Sequence, residues 1–386
     1  MDSRSKLDTL LAETPTAARQ RVGHDLELHD ARKQALVFYG AGTLGAHLVS
    51  KLQELGIRPA AFADDTPEKW GQTFQGIPVM SPVDAVARFG SSGLFVVTIL
   101  NPALSFLRAR ARLEGIGPCR VISFLSLCWN FADALLPYYQ FELPERLLTK
   151  AERIRAAFEL WADEESRRQF VAHLRFRLFI DHEALPLNEG QGYFPDIFPE
   201  LHAQTVFVDC GAYDGDSIRE FLVHQQHRFG RIYAFEPDEA NFLRLKSYVE
   251  SLPLQVSQKI VLHNAGVGET KTRVAFNATG NMSAALASTG IALVNILPLD
   301  EIVERDGNPI FLKLDVEGAE WRALEGARNL IKESEPTIAL SVYHQPDDLW
   351  ELPLLISSLV PSYRFYLRTQ GEDGMDVICY AAPAHQ

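Results

Sequence analysis

At 386 residues the chain exceeds what one hydrophobic core ordinarily supports, so at least two domains are expected. Lys and Arg total 37 against 50 Asp and Glu, a formal charge of −13 that argues against nucleic acid as a partner. With 47% hydrophobic and 23% charged residues the composition is that of a folded soluble protein, and the four cysteines, Cys119, Cys128, Cys210 and Cys379, form no CxxC pair or zinc spacing, which points to a reduced, cytoplasmic chain.

Residues 1–35 mix charges with short apolar pieces and lack the continuous apolar core of a secretory signal; they read as a helical segment. Residues 36–130 alternate β-rich and helical runs, from ALVFYGAG and TLGAHLVSKLQELGI through AAFADD, GIPVMS and SPVDAVARFG to GLFVVTIL and RVISFLSL, the rhythm of a parallel sheet. The first turn, GAGTLG, fits GxGxxG through Gly40, Gly42 and Gly45, with Asp64 after the next strand. Such a turn at a helix N-terminus suits a pyrophosphate, but no YxxxK pair accompanies it and hydride chemistry on NAD is not expected. The apolar stretch 121–139 is interrupted by Asn130 and Asp133, so no membrane span is expected. Residues 131–200 are assigned as a helical connector, with two helices broken near 163–165.

Residues 201–386 repeat the alternation. The runs TVFVDCG, RIYAFEP, IFLKLDVEG and TIALSVYHQ deliver Asp209, Glu236, Asp315 and His344 to the C-terminal ends of strands, where open parallel sheets bind ligands. YRFYLRTQ and MDVICYAA, separated by GEDG, read as an antiparallel hairpin appended to that sheet. The expected fold class is therefore α/β, with two Rossmann-like parallel-sheet domains joined by the connector, the second ending in the hairpin.

The turn VFVDCGAYDGDS differs from GAGTLG in carrying Asp209, Asp214 and Asp216. Carboxylates repel a pyrophosphate and attract a cation. S-adenosylmethionine, with its sulfonium, its ammonium and ribose hydroxyls that seek a carboxylate, fits such a turn; Gly211 and Gly215 allow close backbone approach. Asp209, Gly211, Ala212, Gly215 and Asp216, with Glu236 and Pro237 after the second strand, form the candidate cofactor site, to which Tyr193 ahead of the first strand and Asn264 after the third are added. The competing reading makes the acids helix caps. For chemistry, Asp315, Glu317 and His344 are the candidate catalytic residues. Helix-dipole placement of Glu317, a structural role for His344, and a divalent cation held by this trio stay open as alternatives; no metal ligands are assigned.

The blocks VFVDCGAYDGDSIREF, YAFEPDEANF, LHNAGVG, LPLDEIV and FLKLDVEGAEWRALEGA, in this order, resemble the FkbM family of S-adenosylmethionine-dependent methyltransferases over about residues 190–383. The resemblance implies a class I methyltransferase fold, S-adenosylmethionine as cofactor at Asp209, Gly211, Gly215 and Glu236, and O-methylation of a sugar-containing, glycan or small natural-product acceptor. The stretch from YGAGTLG to GIPVMSP resembles the N-terminal domain of bacterial amino-sugar acetyltransferases, which implies a nucleotide sugar at Gly40, Gly42, Gly45 and Asp64. Two other functions stay open: an NAD-dependent sugar-modifying oxidoreductase and a catalytically silent nucleotide-sugar-binding protein.

Overall fold

Short apolar runs without polar alternation bury both faces of a strand, and in each half of the chain they assemble into a largely parallel sheet. The computed structural model describes residues 2–28, 32–100, 104–186, 192–195, 197, 201–277, 285–286 and 292–384. Two units are distinguished, one of Met1–Glu152, Arg168–Leu187 and Gly371–Met375, the other of Arg153–Arg167, Asn188–Gln370 and Asp376–Gln386.

The first unit holds β1 (Ala35–Tyr39), β2 (Ala61–Ala63), β3 (Thr73–Phe74), β4 (Ile77–Met80), β5 (Gly93–Val97) and β6 (Arg120–Ser123). They form one sheet in the order β3-β4-β2-β1-β5-β6, parallel except for the β3–β4 pair. The chain leaves β1 for β2 on one side and returns to β5 on the other, which creates a crevice at the C-terminal end of β1. The run RVISFLSL divides: only Arg120–Ser123 is strand, and Ser123 accepts a hydrogen bond from Leu125 N as the helix Phe124–Asn130 begins. The local hydroxyl cap overrides the strand propensity of the following apolar residues.

The second unit contains β7 (Val206–Cys210), β8 (Arg231–Phe235), β9 (Ile260–His263), β10 (Gly266–Val267), β11 (Thr272–Asn277), β12 (Ala285–Leu286), β13 (Ala292–Leu297), β14 (Ile310–Leu314), β15 (Thr337–Ser341), β16 (Arg364–Thr369) and β17 (Val377–Ala382). Its main sheet runs β16-β17-β15-β14-β7-β8-β9, parallel in the centre and antiparallel at the β16–β17 hairpin. A smaller mixed sheet, β10-β13-β11-β12, branches from the chain after β9. β7, β14 and β15 are buried along their whole length, so the sheet centre is inaccessible and function is confined to the turns at the strand ends. Among the described residues no helix is long and apolar enough to cross a membrane.

Two turns at the C-terminal rim pack against each other through a glycine. Gly211 has φ +84°, and a Cβ there would collide with the carbonyl oxygen of Asp315. Gly307 also has positive φ, +86°, but has open space around it. Gly211→Ala is therefore expected to destabilise the protein by at least about 2 kcal/mol, strain plus overlap, and Gly307→Ala by only about 1 kcal/mol, strain alone. Urea unfolding of both variants checks the difference; equal midpoints would show that the two turns do not need their close approach.

Candidate active site

An aspartate and a lysine face each other in the middle of the main sheet. Lys313 of β14 is in register with Asp209 of β7, and its Nζ lies 3.0 Å from Asp209 Oδ1, with the side chains 3% and 0% exposed. The Ser217 hydroxyl donates to Asp209 Oδ2 at 2.5 Å, and Lys313 Nζ donates also to the carbonyl oxygen of Gly211 at 2.6 Å. Burial works against the Lys313 charge, but Asp209, Asp315 and Asp216 together raise its pKa. Asp209 thus faces inward, fixing the turn rather than presenting its carboxylate to solvent. Lys313 escaped the sequence reading, although a lone lysine among four apolar residues of IFLKL is a signal of a buried charge pair.

The turn itself is a chain of amides. Gly211 N and Ala212 N both donate to the Phe235 carbonyl, Gly215 N donates to Ala212 O, and Gly215 with φ +90° leads into the helix Asp216–His224. A Cβ on Gly215 would meet the ring of Tyr248, so the turn has no room for a side chain there. Asp216 is exposed at the start of that helix, yet desolvation by the surrounding atoms raises its pKa despite Lys313.

Glu236 follows β8 and is 4% exposed. Its Oε2 accepts from Tyr213 N at 2.9 Å and its Oε1 from Asp238 N at 2.8 Å. Burial raises its pKa to about 7, against the pull of these hydrogen bonds. Asn264 does not reach into the turn; its side-chain amide donates to the Glu236 carbonyl oxygen at 3.2 Å and so braces the segment that includes Pro237.

Asp315, Glu317, Glu320 and His344 come together at the adjoining strand ends. Glu317 takes φ +51° and Gly318 φ +94°, so the chain doubles back between β14 and the helix Glu320–Glu325. Glu320 Oε1 accepts from Val316 N at 2.9 Å and lies 2.7 Å from His344 Nδ1, while His344 Nε2 lies 3.4 Å from Asp315 Oδ1 and 3.9 Å from Glu317 Oε2. Burial disfavours the imidazolium, yet Glu320, Asp315 and Glu317 outweigh it and raise His344 to about 10. Burial likewise opposes the Asp315 charge, but His344 and Lys313 hold its pKa below the ordinary carboxylate range. Tyr193 donates its hydroxyl to Asp315 Oδ2 at 2.8 Å, and Lys313 Nζ stands 5.0 Å from the Tyr193 ring centre. Among the described residues, Asp315, Glu320 and His344 form a group whose potential ligand atoms all lie within 4.8 Å of one another.

The glycine turn of the first unit has a different occupant. Gly40 has φ +116°, Gly45 packs so closely on Gly40 O and Phe62 that a Cβ would collide, and Gly42 begins the helix Thr43–Glu54 with open space beside it. Asp64 Oδ2 accepts from Ala41 N at 2.8 Å and from Lys69 Nζ at 3.0 Å.

Comparison with known proteins bears on the second unit most directly. Residues 209–371 match the model of the methyltransferase FkbM domain. The crystal structure of a methyltransferase FkbM from Methylobacillus flagellatus KT superimposes with a TM-score of 0.76 at 24% identity, covering 98% of each chain, which supports a shared fold across both units. A putative rRNA methylase from Clostridium thermocellum aligns with 47% of this chain and 87% of its own at a TM-score of 0.31 and 11% identity. An rRNA methylase from Streptococcus thermophilus aligns with 48% and 90% at 0.31 and 13%. No curated protein matches the sequence. The residues that match the methyltransferase FkbM domain, 209–371, are thus the ones that carry the glycine turn, Glu236, the buried Lys313 and the Asp315–His344 cluster.

Proposed function

We propose that the chain is an S-adenosylmethionine-dependent O-methyltransferase whose acceptor is a hydroxyl of a small molecule or glycan. The observation that carries this reading is the meeting, at one rim, of an amide-rich glycine turn, a buried carboxylate from the adjacent strand bonded to that turn, and an acidic cluster beside them. The residues fit the cofactor: Gly211 and Gly215 leave the turn without side chains, and Glu236, raised to about 7 by burial, is a carboxylate whose ionised form gains from hydroxyl donors such as those of a ribose. When bound, the cofactor supplies a methyl group on a sulfonium leaving group.

The protein's task is then to align the acceptor oxygen and dispose of its proton. His344 is unsuited to receive that proton, because its three carboxylate neighbours keep it protonated at neutral pH. Asp315 is ionised; its Oδ2 accepts from Tyr193, and its Oδ1, buried 3.4 Å from His344 Nε2, accepts no hydrogen bond and is the oxygen left to take the acceptor proton once the side chain meets the substrate. Its low pKa makes it a weak base, adequate for an oxygen that becomes acidic as the methyl arrives. Glu317 stands at the edge of this position, and Glu320 acts through His344 as a positioning residue.

Calorimetry with S-adenosylhomocysteine tests the cofactor site. Glu236→Ala is expected to weaken binding by about 1–3 kcal/mol, the scale of a lost hydrogen bond to a charged group. Since Glu236 binds a proton near pH 7 and only its ionised form offers full acceptor capacity, wild-type affinity should rise with pH through that range and Glu236→Gln should flatten the profile. Unchanged affinity in both variants would move the cofactor elsewhere.

The acceptor side is tested separately. Asp315→Asn preserves shape and is expected to leave S-adenosylhomocysteine affinity nearly intact while single-turnover methyl transfer falls by roughly 10²-fold, the scale of a lost acid–base group. Full activity in that variant would remove Asp315 from the acceptor site.

A further inference from the structure

Two tyrosines at the rim of the main sheet each fix one aspartate, and each aspartate keeps an oxygen free of that bond. In the first pair Tyr193 donates to Asp315 Oδ2, while Asp315 Oδ1 accepts no hydrogen bond. The second pair is Tyr343 and Asp376. β15 and β17 run antiparallel with Ser341 opposite Ile378, and Val342 N donates to the Val377 carbonyl, so Tyr343 stands opposite Asp376 just beyond the ladder. Asp376 takes φ +51°, a left-handed conformation that aspartate tolerates, and Gln370 N donates to its carbonyl at 2.8 Å. The Tyr343 hydroxyl then donates to Asp376 Oδ1 at 3.1 Å, and among the described residues nothing donates to Oδ2.

The two pairs share one place. The Tyr343 ring packs on the His344 imidazole with centres 4.1 Å apart, and His344 Nε2 lies 3.4 Å from Asp315 Oδ1. Both tyrosine hydroxyls are raised by burial first and then by the two aspartates, Asp315 before Asp376, so each pair lies in the field of the other. Asp376 itself is half-buried, which leaves it within reach of a ligand while its turn and its tyrosine hold it still. A carboxylate fixed at one oxygen and open at the other is a preorganised acceptor for a hydroxyl.

We propose that Asp376 binds a second hydroxyl of the methyl acceptor, so that a polyhydroxylated acceptor is held at two points, one hydroxyl on Asp315 and another on Asp376. Tyr343 acts through Asp376 as a positioning residue. This assignment rests on the methyl-transfer reading, since it names what the same site selects. A polar group placed for one substrate hydroxyl discriminates against the analogue that lacks it, because the group is left unpaired when the analogue binds.

Transfer of a tritiated methyl group from S-adenosylmethionine to the methyl glycosides of glucose, galactose and mannose and to their monodeoxy forms, with cyclohexanol as the single-hydroxyl control, reads that selection. The wild type is expected to methylate at least one glycoside and to lose about tenfold or more in kcat/KM when a second hydroxyl is removed. Asp376→Gly deletes the carboxylate at a backbone conformation glycine adopts freely, and is expected to raise KM for the intact glycoside more than it lowers kcat and to erase its advantage over the deoxy form. Asp376→Asn, which keeps the shape and one acceptor oxygen, is expected to fall between, and Tyr343→Phe to move the same way by less. S-adenosylhomocysteine affinity is expected to hold in all three. Equal kcat/KM for intact and deoxy glycosides in the wild type, transfer to cyclohexanol as efficient as to any glycoside, or an undiminished preference in both Asp376 variants would overturn the assignment. Wild-type protein that binds S-adenosylhomocysteine yet methylates no glycoside would overturn it too and leave the methyltransferase reading standing, whereas protein that binds no S-adenosylhomocysteine would remove that reading and the assignment with it.

Discussion

Burying an ammonium and a carboxylate in the centre of a sheet costs several kcal/mol per ion, and the pair persists only when geometry supplies nearly every missing hydrogen bond. Lys313 and Asp209 meet that condition through register, since β7 and β14 place them side by side, and through Ser217 and the Gly211 carbonyl, which take up further bonding capacity. A one-residue slip between the strands would turn one charge to the opposite face, so the pair enforces the alignment. It also ties the glycine turn after β7 to the strand that leads into the Asp315 turn. The missing Cβ of Gly211 completes that tie, because the Asp315 carbonyl occupies the space a side chain would need. Removing Asp209 would leave an uncompensated buried ammonium, so any effect of such a change on a ligand would be indirect.

The same lysine organises charge beyond its own pair. Its field lowers Asp315 and partly offsets the burial that raises Asp216, so the carboxylates along the rim ionise over different ranges. Asp376, raised first by burial and then by Asp315, and Tyr343, whose hydroxyl meets Asp376 at 3.1 Å, extend the acidic wall beside His344. A cationic ligand is favoured over an anionic one at such a rim, and the contrast with a phosphate-binding turn follows from these side chains rather than from the backbone, which in both cases offers amides.

Much of the fold was legible because parallel strands buried on both faces have a plain signature: VFVDC, IFLKL and TIALS are apolar runs bounded by turns, and their polar successors fall at the C-terminal ends. The closing hairpin was legible from its GEDG turn. The sheet of β10–β13 was not, since two of its strands have only two residues and pair in mixed directions. Within the site, Asp315 and His344 could be placed at the rim from strand ends alone, whereas the role of Glu320 could not. An acid in the first turn of a helix has a sufficient local explanation in the helix dipole, and only the folded chain brings His344 Nδ1 to 2.7 Å from it. Lys313 and Asp209 are distant in sequence, so their pairing depends on strand order, which no local pattern contains.

The two glycine turns share one device, and the neighbour of its acid differs between them. In each sheet the acid after the second strand reaches back to an amide of the first turn: Asp64 to Ala41 N at 2.8 Å, Glu236 to Tyr213 N at 2.9 Å. Burial raises both acids, but Asp64 is also met by the Thr66 amide and by Lys69, and its pKa ends below the ordinary value. Glu236 is met by amides without an ammonium, and burial prevails. An acid already neutralised by an internal lysine gains little from an incoming donor, whereas one held near pH 7 without a counter-ion gains much. That difference, set by Lys69 on one side and its lack of a counterpart among the bonds of Glu236 on the other, is the physical reason to look for a hydroxyl-bearing ligand at the second turn before the first.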